Sequence, residues 1–132
     1  MAISNFFNNH LQTIGIYADG MVLQQNTVNC IAGLSLSGKK VSLTFNSKTY
    51  ETISSADGNW KIEFNPGNAG GPYSILIKSE DESIEYKNIF IGEVWLNCGQ
   101  SNAQLPMERM KYSYPLEMKN PCSKVHMITI PI

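Results

Sequence analysis

Ser101 is the side chain whose surroundings suggest covalent chemistry. It lies in Gly92-Glu93-Val94-Trp95-Leu96-Asn97-Cys98-Gly99-Gln100-Ser101-Asn102. There a short apolar run with a β-branched and an aromatic residue passes into a small polar turn. A buried strand would deliver its carboxyl end in this way, and open α/β sheets place ligands at such ends. A serine at that point, entering a helix, gains backbone N–H groups that can hold an oxyanion. The chemistry would be nucleophilic attack on a carbonyl carbon. The Gly-x-Ser-x-Gly elbow is not met, because the residues read Gly99-Gln100-Ser101-Asn102-Ala103. A Ser-Asn pair between strand and helix also fits a plain N-cap, so the bare residues leave both readings open.

A serine hydroxyl needs a general base, normally a histidine held by a carboxylate. The chain has two histidines, His10 and His126. His10 follows Phe7 by three residues, and His126 follows Ser123 and sits among apolar neighbours, so both read as structural or surface residues. The three cysteines, Cys30, Cys98 and Cys122, are odd in number and lack Cys-x-x-Cys spacing. That argues against a zinc site and a disulfide framework, and all three are expected to be buried thiols. Cys98 has no nearby histidine to lower its pKa. No metal or cofactor is expected.

Two upstream stretches accompany the serine block. Asp19-Gly20-Met21-Val22-Leu23-Gln24-Gln25 comes first, and Ala56-Asp57-Gly58-Asn59-Trp60 follows with Ala69-Gly70-Gly71-Pro72-Tyr73. In this order, over roughly residues 14 to 130, the chain resembles the sialate O-acetylesterases, a carbohydrate-esterase branch of the SGNH hydrolases. The resemblance implies a hydrolase that removes O-acetyl groups from sugars, typically sialic acids. Ser101 would be its nucleophile and an oxyanion N–H donor, with Gly99, Gln100 and Asn102 as neighbouring motif residues. It also implies an extracytoplasmic protein, periplasmic or secreted, although Met1-Ala2-Ile3-Ser4-Asn5 has neither a basic nor an apolar signal region. Ala103 stands where the family has Met, and Asn97-Cys98 where it has Cys-Ser. Both changes sit beside the nucleophile and bear on the fit of the acyl group.

The elements that must position Ser101 are mostly strands. With 132 residues, 42% hydrophobic and 16% charged, and a net charge of −1, the chain can build a core and shows no attraction for nucleic acid or an anionic membrane. Residues 1–12 read as a leader. Strands are expected at Ile14 to Tyr17, Met21 to Leu23 and around Val28, Cys30 and Ala32, with Gly33 as a break. Val41, Leu43 and Phe45 share one face of the clearest half-buried strand, and Asn46-Ser47-Lys48 turns into its hairpin partner. Trp60, Ile62 and Phe64 mark another strand, with Trp60 as a core anchor. Residues 65–72, with two prolines, read as loop. Tyr73, Ile75 and Ile77 resume the alternation, Glu80-Asp81-Glu82 turns, and Ser83 to Ile91 closes the series. The expectation is an all-β antiparallel sandwich, Ig-like or jelly-roll-like, over 13–91.

Beyond Gly92 the pattern predicts a buried strand at Val94 to Leu96, a short helix from Ser101 or Asn102 to about Lys111, and a second buried strand from Lys124 to Ile130. Residues 92–132 would then be the first β-α-β part of a truncated α/β SGNH hydrolase domain. The resembled family places its base in a later Asp-x-x-His block, absent here, so this chain alone is expected to be inactive. Edge pairing with a second copy would shield the half-built sheet. The alternative is a non-catalytic β-sandwich that binds carbohydrate or protein, for which flat exposed aromatic rings on one sheet face would speak.

Overall fold

The computed structural model describes residues 10–99, 105–116, 119 and 122–128. The chain falls into two units, Met1–Val94 and Trp95–Ile132, each taken by itself. The described residues of the first are all-β, with strands β1 Gln12–Thr13, β2 Val22–Gln24, β3 Asn29–Leu34, β4 Lys40–Phe45, β5 Lys48–Ile53, β6 Asn59–Phe64, β7 Gly70–Ser79 and β8 Glu82–Gly92. They form a three-stranded sheet in the order β1-β3-β6 and a five-stranded sheet in the order β2-β8-β7-β4-β5.

Period-two alternation builds the core between the sheets. Ile31, Trp60, Ile62 and Phe64 come from the smaller sheet, and Leu23, Val41, Leu43, Phe45, Ile75, Ile77, Ile89 and Ile91 from the larger, all buried together. Each such side chain contributes about 1.5–3 kcal/mol on burial. Phe64 links the sheets, its ring 5.5 Å from Phe45 and 5.3 Å from Tyr50. The Asn46-Ser47 turn takes positive φ at both residues (47° and 62°), the twist that suits a tight hairpin.

β8 interrupts its alternation once. Ile75 pairs with Tyr86 and Tyr73 with Ile89, so β8 uses three steps where β7 uses two. The extra residue is a β-bulge at Lys87-Asn88, with Asn88 at φ 55°. Before it the inward residues are Ile84 and Tyr86; after it they are Ile89 and Ile91. A bulge leaves backbone groups unpaired, and the Asp19-Gly20 turn supplies partners. The Lys87 N–H donates to Asp19 Oδ1 at 2.8 Å, and its carbonyl accepts the Gly20 N–H at 2.9 Å.

Several expectations change. The sandwich is not wholly antiparallel, because β2 runs parallel to β8. Leu11 and Gln12, read as leader, belong to the fold: Leu11 is buried and Gln12 pairs with Leu34. Residues 1–9 lie outside the described ones. Ile14 and Ile16 form no strand and are exposed, since the short edge strand ends at Thr13. In β3 the buried face carries Ile31 and Gly33, so Gly33 continues the strand it was expected to break. A Cβ there would stand 1.9 Å from the Gln12 carbonyl oxygen and 2.5 Å from Trp60 Cζ2; only glycine admits both neighbours. All three cysteines are exposed rather than buried, Cys30 because it points away from that face. Gly70–Pro72, read as loop, begins β7; proline is tolerated because β4 pairs with β7 only from Ile75 onward.

In the second unit, Val94 to Leu96 form no strand, and Trp95 and Leu96 are 84% and 85% exposed. Of the expected helix, 101–104 lie outside the described residues, and Met107–Met110 make one 3₁₀ turn entered from Pro106. Lys124 to Ile128 form no strand, with Val125, Met127 and Ile128 exposed; Thr129 and Ile130 are not described. A strand needs a hydrogen-bonded neighbour, and the described residues after Val94 supply none.

Replacing Gly33 by Ala should force apart β1 and Trp60 and destabilise the protein by about 1–3 kcal/mol, the usual cost of overpacking. Urea unfolding measures this, and an unchanged midpoint would contradict the close approach.

Candidate functional site

β8 leads straight into the serine block. Among its residues, Cys98 and Gly99 are described and both are exposed. Gln100, Ser101 and Asn102 lie outside the described residues. What the structure defines is the point from which that segment departs, and it is built by residues that sequence reasoning did not single out.

The parallel run of β2 beside β8 aligns their carboxyl ends, with Val22 opposite Phe90, Leu23 opposite Ile91 and Gln24 opposite Gly92. The Gln25 N–H extends the ladder by donating to the Gly92 carbonyl at 2.8 Å. Two glutamines therefore end beside Glu93. Gln24 Nε2 donates to Glu93 Oε2 at 2.9 Å, and Gln25 Nε2 donates to Glu93 Oε1 at 2.5 Å. Their carbonyl ends face the backbone: Gln24 Oε1 accepts the Val94 N–H at 2.7 Å, and Gln25 Oε1 accepts the Ala69 N–H at 3.2 Å. A carboxylate only accepts and a backbone N–H only donates, so each amide has one productive orientation. Asn29 holds Gln24 from behind, its Oδ1 accepting the Gln24 N–H at 3.0 Å and its Nδ2 donating to the Gln24 carbonyl at 2.9 Å.

These bonds join three of the stretches noted in the sequence. Asp19 to Gln25 supplies the bulge partners and both glutamines, Ala69 supplies an N–H at the start of β7, and Gly92-Glu93-Val94 is the exit. The spacing of Ile84, Tyr86, Ile89 and Ile91 was the available signal for the bulge, and paired glutamines at a strand end were the signal for the clasp.

The histidines are accounted for separately. His10 Nδ1 lies 2.5 Å from Glu82 Oε1, and the Leu11 N–H donates to Glu82 Oε2 at 2.6 Å. First the histidine and then the backbone N–H hold the Glu82 carboxyl below its ordinary range. His10 thus ties the amino-terminal edge to the start of β8. His126 is exposed. Among the described residues no cluster of His, Cys, Asp and Glu is suited to a metal ion.

Comparison with known proteins follows the same residues. No family model matches the chain. Over 96 residues, 64% of its length, it is 26% identical to the sialate O-acetylesterases of Homo sapiens and Pongo abelii. A carbohydrate acetylesterase from Xanthomonas citri superimposes with a TM-score of 0.66 at 30% identity, covering 68% of this chain. The chain is therefore similar to carbohydrate acetylesterases, as its motifs indicate. It spans 18% of the length of the curated relatives and 21% of the solved structure.

The Gln24 amide, and after it the Gln25 amide, lower the pKa of Glu93. A depressed folded pKa stabilises the fold above the unfolded value, about 4.3, and that contribution is lost as the pH falls through the folded value. The side-chain NH₂ resonances of both glutamines should hold steady near neutrality and move with a midpoint below about pH 4. A midpoint above the unfolded value would contradict a carboxylate stabilised by two amide donors.

Proposed function

We propose that this chain is the sandwich-and-nucleophile part of a carbohydrate O-acetylesterase. The similarity to carbohydrate acetylesterases over about two thirds of the chain carries the reading. The continuous path from buried β8 into the Ser101 block supports it. In this reading residues 13–91 are the sandwich and 92–132 begin the hydrolase domain.

The Ser101 hydroxyl attacks the acetyl carbonyl of an O-acetylated sugar such as a sialic acid, while a base takes its proton. The tetrahedral oxyanion is held by N–H donors, that of Ser101 among them. Collapse expels the sugar hydroxyl, which recovers the proton, and leaves an acetyl-serine. Water, deprotonated by the same base, then releases acetate. Protein dipoles and a proton shuttle suffice for these steps, with no metal or cofactor assigned to any of them. The sequence resemblance assigns the base to an Asp-x-x-His block, and residues 1–132 contain none. His10 is engaged with Glu82. On this reading the chain by itself does not turn over. The same resemblance suggests a site of action outside the cytoplasm; no helix among the described residues is long and apolar enough to cross a membrane.

The binding-module alternative finds less support. Among the described residues of the first unit, Trp60 is buried, Tyr17, Tyr50, Tyr73 and Tyr86 are half-buried, and none presents an open ring for stacking on a sugar.

Acetate release from an activated ester is the test. A polypeptide extended past Ile132 to the length of its relatives should be active, and Ser101→Ala should lower its kcat by about 10³-fold or more. Residues 1–132 should match the Ser101→Ala background. Equal activity of the extended protein with and without Ser101 would overturn the assignment.

A further inference from the structure

We infer that Gln24, Gln25 and Glu93 are positioning residues for the esterase reaction: together they fix the direction in which the chain leaves the sandwich toward Ser101. This rests on the esterase reading above. None of the three is assigned to touch substrate; they act through the backbone of Val94.

Three observations carry the inference. First, regular pairing of β8 ends at Gly92, yet the chain stays fixed for two residues more. The Glu93 side chain is gripped by two amides, and the Val94 N–H is captured by Gln24 Oε1. Second, the grip is bidentate and closed. Each glutamine spans from the carboxylate to a backbone N–H, one on the exit segment and one at Ala69, so rotating any member breaks a bond elsewhere. Third, the clasp is anchored on both sides by the rigid sandwich, through the β2–β8 ladder and through the Asn29 side chain behind Gln24. A surface glutamate that merely keeps the fold soluble needs none of this. At about 3.3–3.6 Å per residue, the chain from Val94 to Ser101 is a short leash, so an error in its starting direction is carried to the nucleophile. Catalytic groups are sensitive to such errors: a 1 Å displacement can lower a rate by about 100-fold.

Variants separate the roles of the three side chains. Gln24→Ala removes the acceptor of the Val94 N–H together with one carboxylate bond. Glu93→Ala removes both carboxylate bonds. Glu93→Gln keeps the shape and one possible amide acceptor, but sets an NH₂ against an NH₂ at the other glutamine.

Two measurements test the proposal. Amide hydrogen exchange on the chain as it stands should show the Val94 N–H protected, although it lies outside any strand. Gln24→Ala should speed its exchange by about 10-fold or more, while the β3 and β6 amides keep their rates. In the extended polypeptide, Gln24→Ala and Glu93→Ala should lower kcat by about 10- to 100-fold with KM little changed, and Glu93→Gln should fall between them and the wild type. Unchanged Val94 exchange in Gln24→Ala would overturn the clasp. Accelerated exchange with kcat unchanged would overturn its positioning role and leave a structural contact. An inactive wild-type extended protein would overturn the esterase reading, and with it any part for the clasp in catalysis. The Val94 exchange result distinguishes that failure from failure of the clasp itself.

Discussion

The alternation of β8 must change phase for its two halves to share one core, and much of the first unit follows from that requirement. Ile84 and Tyr86 pack inward before Lys87-Asn88, and Ile89 and Ile91 pack inward after it. Without the inserted residue the second pair would face water, forfeiting about 1.5–3 kcal/mol for each. The insertion exposes a backbone N–H and a carbonyl at Lys87, and the Asp19-Gly20 turn satisfies both. That turn starts β2 along β8 in parallel, which brings the carboxyl ends of the two strands together. The clasp of Gln24, Gln25 and Glu93 forms there. A local demand of packing thus determines which side chains meet where the chain leaves the sandwich.

This chain of causes explains why stretches far apart in sequence travel together. Asp19 to Gln25, Ala69 to Tyr73 and Ile91 to Val94 are one assembly of hydrogen bonds around the end of β8. Their similarity to carbohydrate acetylesterases is accordingly a similarity of scaffold. A serine nucleophile needs a defined trajectory as well as a base and oxyanion donors. In the reading proposed here, the sandwich contributes that trajectory.

Much of the sandwich was legible because its strands obey a simple period. Val41, Leu43 and Phe45, and Trp60, Ile62 and Phe64, each present a clean alternating face, and each is buried as expected. Where the reading strayed, tertiary neighbours had overridden the local signal. Gly33 looked like a break but fills a gap that Trp60 and Gln12 leave too small for a Cβ. Pro72 looked like loop but lies where β7 is paired on one side only. Cys30 carried the apolar signal of β3, while its neighbour Ile31 is the buried residue. The parallel pairing of β2 was hidden because three residues cannot declare their partner's direction. The nucleophile block suggested a buried strand at Val94 to Leu96, and that segment is exposed, because burial depends on a neighbouring strand rather than on composition.

The central claim is that Ser101 is the residue that takes the acyl group. Labelling the extended polypeptide with a serine-directed phosphonate, followed by peptide mass spectrometry, tests it most directly. The account predicts a single adduct on the peptide that contains Ser101, suppressed by an O-acetylated sugar. An adduct on a different residue, or acetate release by a protein in which Ser101 stays unlabelled, would contradict it.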